Sequence, residues 1–193
     1  MDIVAIDMPN GGGAYFRKEL MVVDKYSGDA NEEEIRKSAI CLLGHELGHI
    51  WFNGADSSSW EDWLNETGAE WAALCYIQYL ITRSNNDEWL KELFEQELIR
   101  HREQAKGTPV IQPPLSGKRP PTGVHQRGVV LWFEIYKKYG IDTIITIMRT
   151  LAELPLKTTN IFMAALREKM GNEIPDIIQR GLTMSEYDGI CEG

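Results

Sequence analysis

The chain has 193 residues, 43% of them hydrophobic and 25% charged, an ordinary composition for a globular protein that buries its own core. Its net charge of −9 argues against a phosphate-binding surface for nucleic acid, and no apolar run approaches the roughly 20 residues of a membrane span. Three cysteines (Cys41, Cys75 and Cys191), odd in number and far apart, point to reduced thiols; with no secretory signal at the start, a cytoplasmic location is expected.

Asp2 to Asp7 reads as a short strand that starts almost at the first residue, the pattern expected of a piece of a longer protein. Pro9-Asn10-Gly11-Gly12-Gly13 breaks it. Tyr15-Phe16 and Leu20-Met21-Val22-Val23 read as further extended chain, so a small sheet is expected over the first thirty residues. Gly11 to Ala14 is open to two readings. It is a plain β-turn, or it is a place of close backbone approach where a strand edge holds a peptide by strand addition. Gly12, Gly13 and Ala14 are therefore candidate substrate-binding residues.

A helix is expected from an N-cap at Asn31, with Glu32, Glu33 and Glu34 at the positive end of its dipole. Ile35, Ala39, Leu42, Leu43 and Leu47 supply a stripe expected to be buried as far as His49 and Phe52, and Asn53-Gly54 ends the run. Within it stands His45-Glu46-Leu47-Gly48-His49. Residues four apart share a helix face, so two imidazoles can aim at one point and make half of a tetrahedral zinc site. Glu46 lies beside that face, where a carboxylate can reach a water on the metal without becoming a ligand. Cys41 is a further thiolate ligand or a small packed hydrophobe.

Ser57 to Ser59 makes a turn, and a second helix is expected from about Trp60 to Thr82. Sixteen residues separate His49 from Glu66, enough for the chain to reverse and run back past the first helix. Glu66 would complete a two-His, one-Glu set, the ligand type of catalytic zinc, one ion per chain. Glu70, one turn on, is placed to accept a hydrogen bond from a ligand histidine and fix its tautomer. Trp63, Trp71, Tyr76 and Tyr79 read as core or groove packing.

A charged helix is expected from Asp87 to Lys106, packed through Trp89, Leu90, Leu93, Phe94 and Leu98, with His101 on the surface beside Arg100 and Arg102. Gly107 to Gly123 holds five of the eight prolines and is either a rim over a cleft or a span between helices. A strong helical period follows from Val124 to Tyr139, stopped by Gly140, with His125 in its first turn. Further helices are expected at Asp142–Ala152, Thr159–Met170 and Ile174–Arg180. Thr159 or Asn160 would cap the second, and Pro175 suits the first turn of the third.

His45-Glu46-Leu47-Gly48-His49 with Trp51-Phe52, followed by Trp63-Leu64-Asn65-Glu66, resembles the zinc signature of the gluzincin metallopeptidases, closest to the aminopeptidase N catalytic domain. That family usually has about eighteen residues where this chain has sixteen. Asp2 to Gly11 is similar to the strand and turn that enter the family's substrate-recognition motif. His125-Gln126-Arg127-Gly128 resembles the segment carrying its catalytic tyrosine, and Thr158 to Leu182 the end of its helical lobe. The family's large N-terminal β-domain has no counterpart here, which fits a truncated or minimal form.

The resemblance implies a thermolysin-like α+β domain, mostly α. It divides the chain into a core with a small sheet over 1–106, a proline-rich loop over 107–123 and a helical lobe over 124–193. It also implies peptide hydrolysis, with zinc on His45, His49 and Glu66, Glu46 as general base and His125 as donor to the oxyanion. Where the family keeps a glutamate for the substrate's free amine this chain has Ala14, which puts exopeptidase action in doubt. Rival readings are an interaction or regulatory module on the same fold, against which the intact Glu46 weighs, and zinc hydrolysis of a non-peptide amide or an epoxide.

Overall fold

The structure is a computed structural model that describes residues 2–6, 14–17, 20–24, 31–105, 124–184, 187 and 190–191. Within these the chain is mostly helical. Three short strands, β1 (Asp2–Ile6), β2 (Ala14–Arg17) and β3 (Leu20–Asp24), pair in the order β1-β3-β2. β1 runs parallel to β3, and β2 runs antiparallel to it with Ala14 opposite Val23. Met21 of the central strand is fully buried. Gly12, Gly13 and the proline-rich loop lie outside the described residues.

The first helix, α1 (Glu32–Gly48), starts where local chemistry dictates. Asn31 Oδ1 accepts from Glu34 N at 2.9 Å, and the Glu34 carboxylate accepts from Asn31 N at 3.0 Å, a reciprocal capping box. It ends four residues earlier than the apolar period suggests. Bonds from His49 N to Glu46 O and from Ile50 N to Leu47 O tighten the last turn and leave His49 as the C-cap, still with helical angles. The expected apolar stripe is not what α1 buries. Ile35 and Ala39 are exposed, Leu42, Leu43 and Leu47 are half-buried, and the buried residues are Glu46 and Gly48.

The chain forms two compact units, Met1–Ile50 with Ala69–Phe94, and Trp51–Gly68 with Glu95–Gly193. In the first, α1 lies against β2 and meets α2 (Trp63–Arg83) through small residues. A Cβ on Gly48 would stand 2.7 Å from Ala69 Cα, and one on Gly44 would stand 3.1 Å from Ala73 Cβ. The two backbones thus approach along Gly44, Gly48, Ala69 and Ala73. At the far end, Trp89 at the start of α3 (Glu88–Ala105) donates to Glu33 at 3.0 Å, and the Arg36 guanidinium lies 4.2 Å over its ring. Trp71 is buried as expected of a core residue. Tyr76 and Tyr79 are not; they stack on one another at the surface.

The second unit contains α4 (Val124–Tyr139), α5 (Ile141–Glu153), α6 (Thr159–Met170) and α7 (Glu173–Gly181). Its core centres on Trp63, Trp132 and Phe162, whose rings lie 6.2–6.5 Å apart. The start of α2 is tied to α6 by Glu61, which accepts from Thr159 N and Oγ1 at 2.7 and 2.6 Å, while Trp63 Nε1 donates to Thr159 Oγ1 at 2.8 Å. With Thr159 so engaged, Thr158 caps α6, rather than Thr159 or Asn160. His101 is a further correction. It is only 2% exposed on α3, and Arg100 turns back over it, 3.1 Å from Nε2, while donating to the buried Glu97 at 2.8 Å. Flanking charges misled because residues one apart point about 100° away from each other on a helix. Among the described residues no helix is long and apolar enough to cross a membrane.

Candidate metal centre

The glycine-and-alanine seam lets α1 and α2 approach until side chains beside it converge. Glu70, next to Ala69, reaches His45, with Oε2 2.7 Å from Nδ1. An ionised carboxylate only accepts, so this contact puts the imidazole proton on Nδ1 and leaves Nε2 as a bare lone pair. That atom faces His49 Nε2 at 3.2 Å, with the two rings nearly perpendicular at 89°. Two ligands at zinc–nitrogen distance on a tetrahedron stand about 3.3 Å apart, so the spacing and the lone-pair chemistry both fit a divalent metal.

Glu46 projects from the same turn of α1 and is 6% exposed. A carboxylate is rarely taken so far out of water without a task or a partner. Glu66 is in the first turn of α2, one turn before Glu70. His45, His49 and Glu66 are thus the ligand types of a two-His, one-Glu set.

The remaining expected residues are less fully placed. The backbone of His125 is in the first turn of α4, and its side chain is outside the described residues. Ala14 is half-buried and opens β2, whose one partner among the described strands is β3, so β2 is an edge. Two contributors had escaped notice in the sequence. Gly48 and Asn65 enter the sequence reading only as members of the two motifs. Asn65 is 6% exposed and fully engaged: Oδ1 accepts from Ala55 N at 3.0 Å, and Nδ2 donates to Ala55 O at 3.1 Å and to Asp62 Oδ1 at 2.9 Å. The visible signal was an asparagine between an apolar residue and a candidate ligand, flanked by tryptophan.

Over 84 residues the chain is 34% identical to each of two curated proteins of Encephalitozoon cuniculi, probable M1 family aminopeptidase 1 and probable M1 family aminopeptidase 2. The matched region is 42% of this chain and 9% of either relative, so the chain spans a small part of their length. No family model matches the chain, and no solved structure matches it. The similarity is thus a partial one, to M1 family aminopeptidases.

Proposed function

We propose that the chain is a zinc metallopeptidase of the gluzincin kind, with a thermolysin-like arrangement of sheet and helices. His45, His49 and Glu66 would hold one zinc, and Glu70 would orient His45. The observation that carries this reading is the imidazole pair, 3.2 Å between Nε2 atoms with the outer nitrogen of His45 on a carboxylate. The partial identity with M1 family aminopeptidases supports the same reaction class. When bound, zinc supplies Lewis acidity, polarising a peptide carbonyl and acidifying water.

The chain's own residues do the rest. Glu46 takes the proton of the attacking water and returns it to the departing amine, breaking the carbon–nitrogen bond with no net change in charge. Its burial keeps bulk water from competing for that proton. The edge of β2, on the strand that lies against α1, offers backbone groups to an extended peptide substrate. His125 donates to the oxyanion, an interaction strongest in the transition state. With Ala14 where the family keeps an amine-gripping glutamate, cleavage falls within peptides.

The test is turnover of a quenched peptide library by wild type and Glu46→Gln. Wild type is expected to cleave, and the variant to keep its metal while losing about 10²- to 10⁴-fold in kcat, the range for a lost general base. Full turnover by Glu46→Gln removes Glu46 from that role. A zinc-loaded wild type that cleaves no peptide returns the chain to the reading of an interaction module.

A further inference from the structure

We propose that Asn65 is a positioning residue for the carboxylate arm of the metal centre, setting Glu66 by pinning the α1–α2 connection to the first turn of α2; this rests on the zinc reading above. The connection from Trp51 to Ser59 contains no helix or strand, and the bond from Ser59 N to Asp56 O at 3.1 Å closes only its last turn. Two anchors tie it to α2, one on each side of Glu66. Asn65 grips both backbone groups of Ala55, closing a loop of ten residues as a strand partner would. Its second amide hydrogen goes to Asp62 in the 3-10 turn Trp60–Asp62 that leads into α2. On the other side the Phe52 ring lies on Gly68 so closely that a Cβ there would be 2.5 Å from it.

A buried amide is a demanding choice, since each of its groups needs a partner once water is gone. Aspartate cannot replace it: the carboxylate has no hydrogen for Ala55 O and would face the Asp62 carboxylate. The bonds fix the height and rotation of the turn that carries Glu66. Metal ligation responds to such outer support because the ligand oxygen must be held within a few tenths of an ångström.

The experiment compares wild type, Asn65→Ala and Asn65→Asp for zinc affinity by chelator competition, and for the visible spectrum of the cobalt-loaded protein. Melting of the metal-free proteins is followed alongside. Both variants are expected to bind zinc about 10- to 100-fold more weakly, the loss typical of outer supports, and to show shifted cobalt bands. Wild-type affinity and bands in variants that merely melt earlier would give Asn65 a stability role only and overturn the proposal. Should the Asn65 variants not fold, Asp62→Ala, which leaves both Ala55 bonds in place, carries the test with a smaller expected loss and the same contrary result. A wild type that binds no zinc defeats the zinc reading itself and this inference with it, whereas unchanged variants of a zinc-binding wild type defeat the inference alone.

Discussion

At the residue scale, the tautomer of His45 governs what the centre can hold. A neutral imidazole left to itself exchanges its proton between two nitrogens, and only one form presents a lone pair at Nε2. The Glu70 contact at 2.7 Å selects that form. Glu70→Leu is therefore expected to weaken zinc binding by about 10- to 100-fold in a chelator competition, and Glu70→Gln, which keeps an acceptor, by less. A leucine variant with wild-type affinity would show that the ring is oriented by something else. Cys75 makes a contrasting case on the same helix. Burial pushes its thiol up to about 12, so it stays protonated and unreactive near neutrality.

At the scale of elements, the crossing of α1 and α2 depends on residues that carry no side chain to count. Periodicity rules score large apolar groups, and by that measure α1 should bury Ile35, Leu42 and Leu43. It packs instead through Gly44 and Gly48, and the large groups stand on its flanks. The N-terminus of α1 was legible because a capping box involves residues three apart; its packing face was not, because burial is decided by what the helix meets. His101 was misjudged for a related reason. Its neighbours in sequence are charged, while its neighbours in space are set by α3's packing.

The seam also makes a quantitative prediction. A methyl group at Gly48 would meet the Ala69 backbone at 2.7 and 2.8 Å, so the helices must part, at a cost of about 1–3 kcal/mol. At Gly44 the methyl would meet Ala73 at 3.1 Å, and the gain of about 1 kcal/mol in helix propensity offsets much of the crowding. Urea denaturation is expected to show Gly48→Ala clearly destabilised and Gly44→Ala close to wild type. Equal stability of the two variants would mean that the approach at Gly48 does not hold the helices.

At the scale of the whole molecule, the helix order was legible, including the two helices on which the candidate ligands lie. They rest on short-range spacing, capping and turn chemistry, which a single sequence displays directly. The placement of a substrate was not, because Gly12, Gly13, the proline-rich stretch and His125 follow no spacing rule that says what they face. The absence of a glutamate at Ala14 still makes a prediction about substrate choice. Acetylating a peptide's N-terminus should leave its cleavage largely intact, with cuts inside the chain as mapped by mass spectrometry. Release of single residues from free N-termini alone would mean that another acid takes the amine.

The central claim is that His45, His49 and Glu66 hold a catalytic zinc while Glu46 does not. The most direct measurement is metal content by elemental analysis after purification and dialysis. Wild type and Glu46→Gln are expected to retain about one zinc per chain, and His49→Ala and Glu66→Gln to lose most of it. A wild type without stoichiometric metal, or a Glu66→Gln protein that keeps it, would contradict the account.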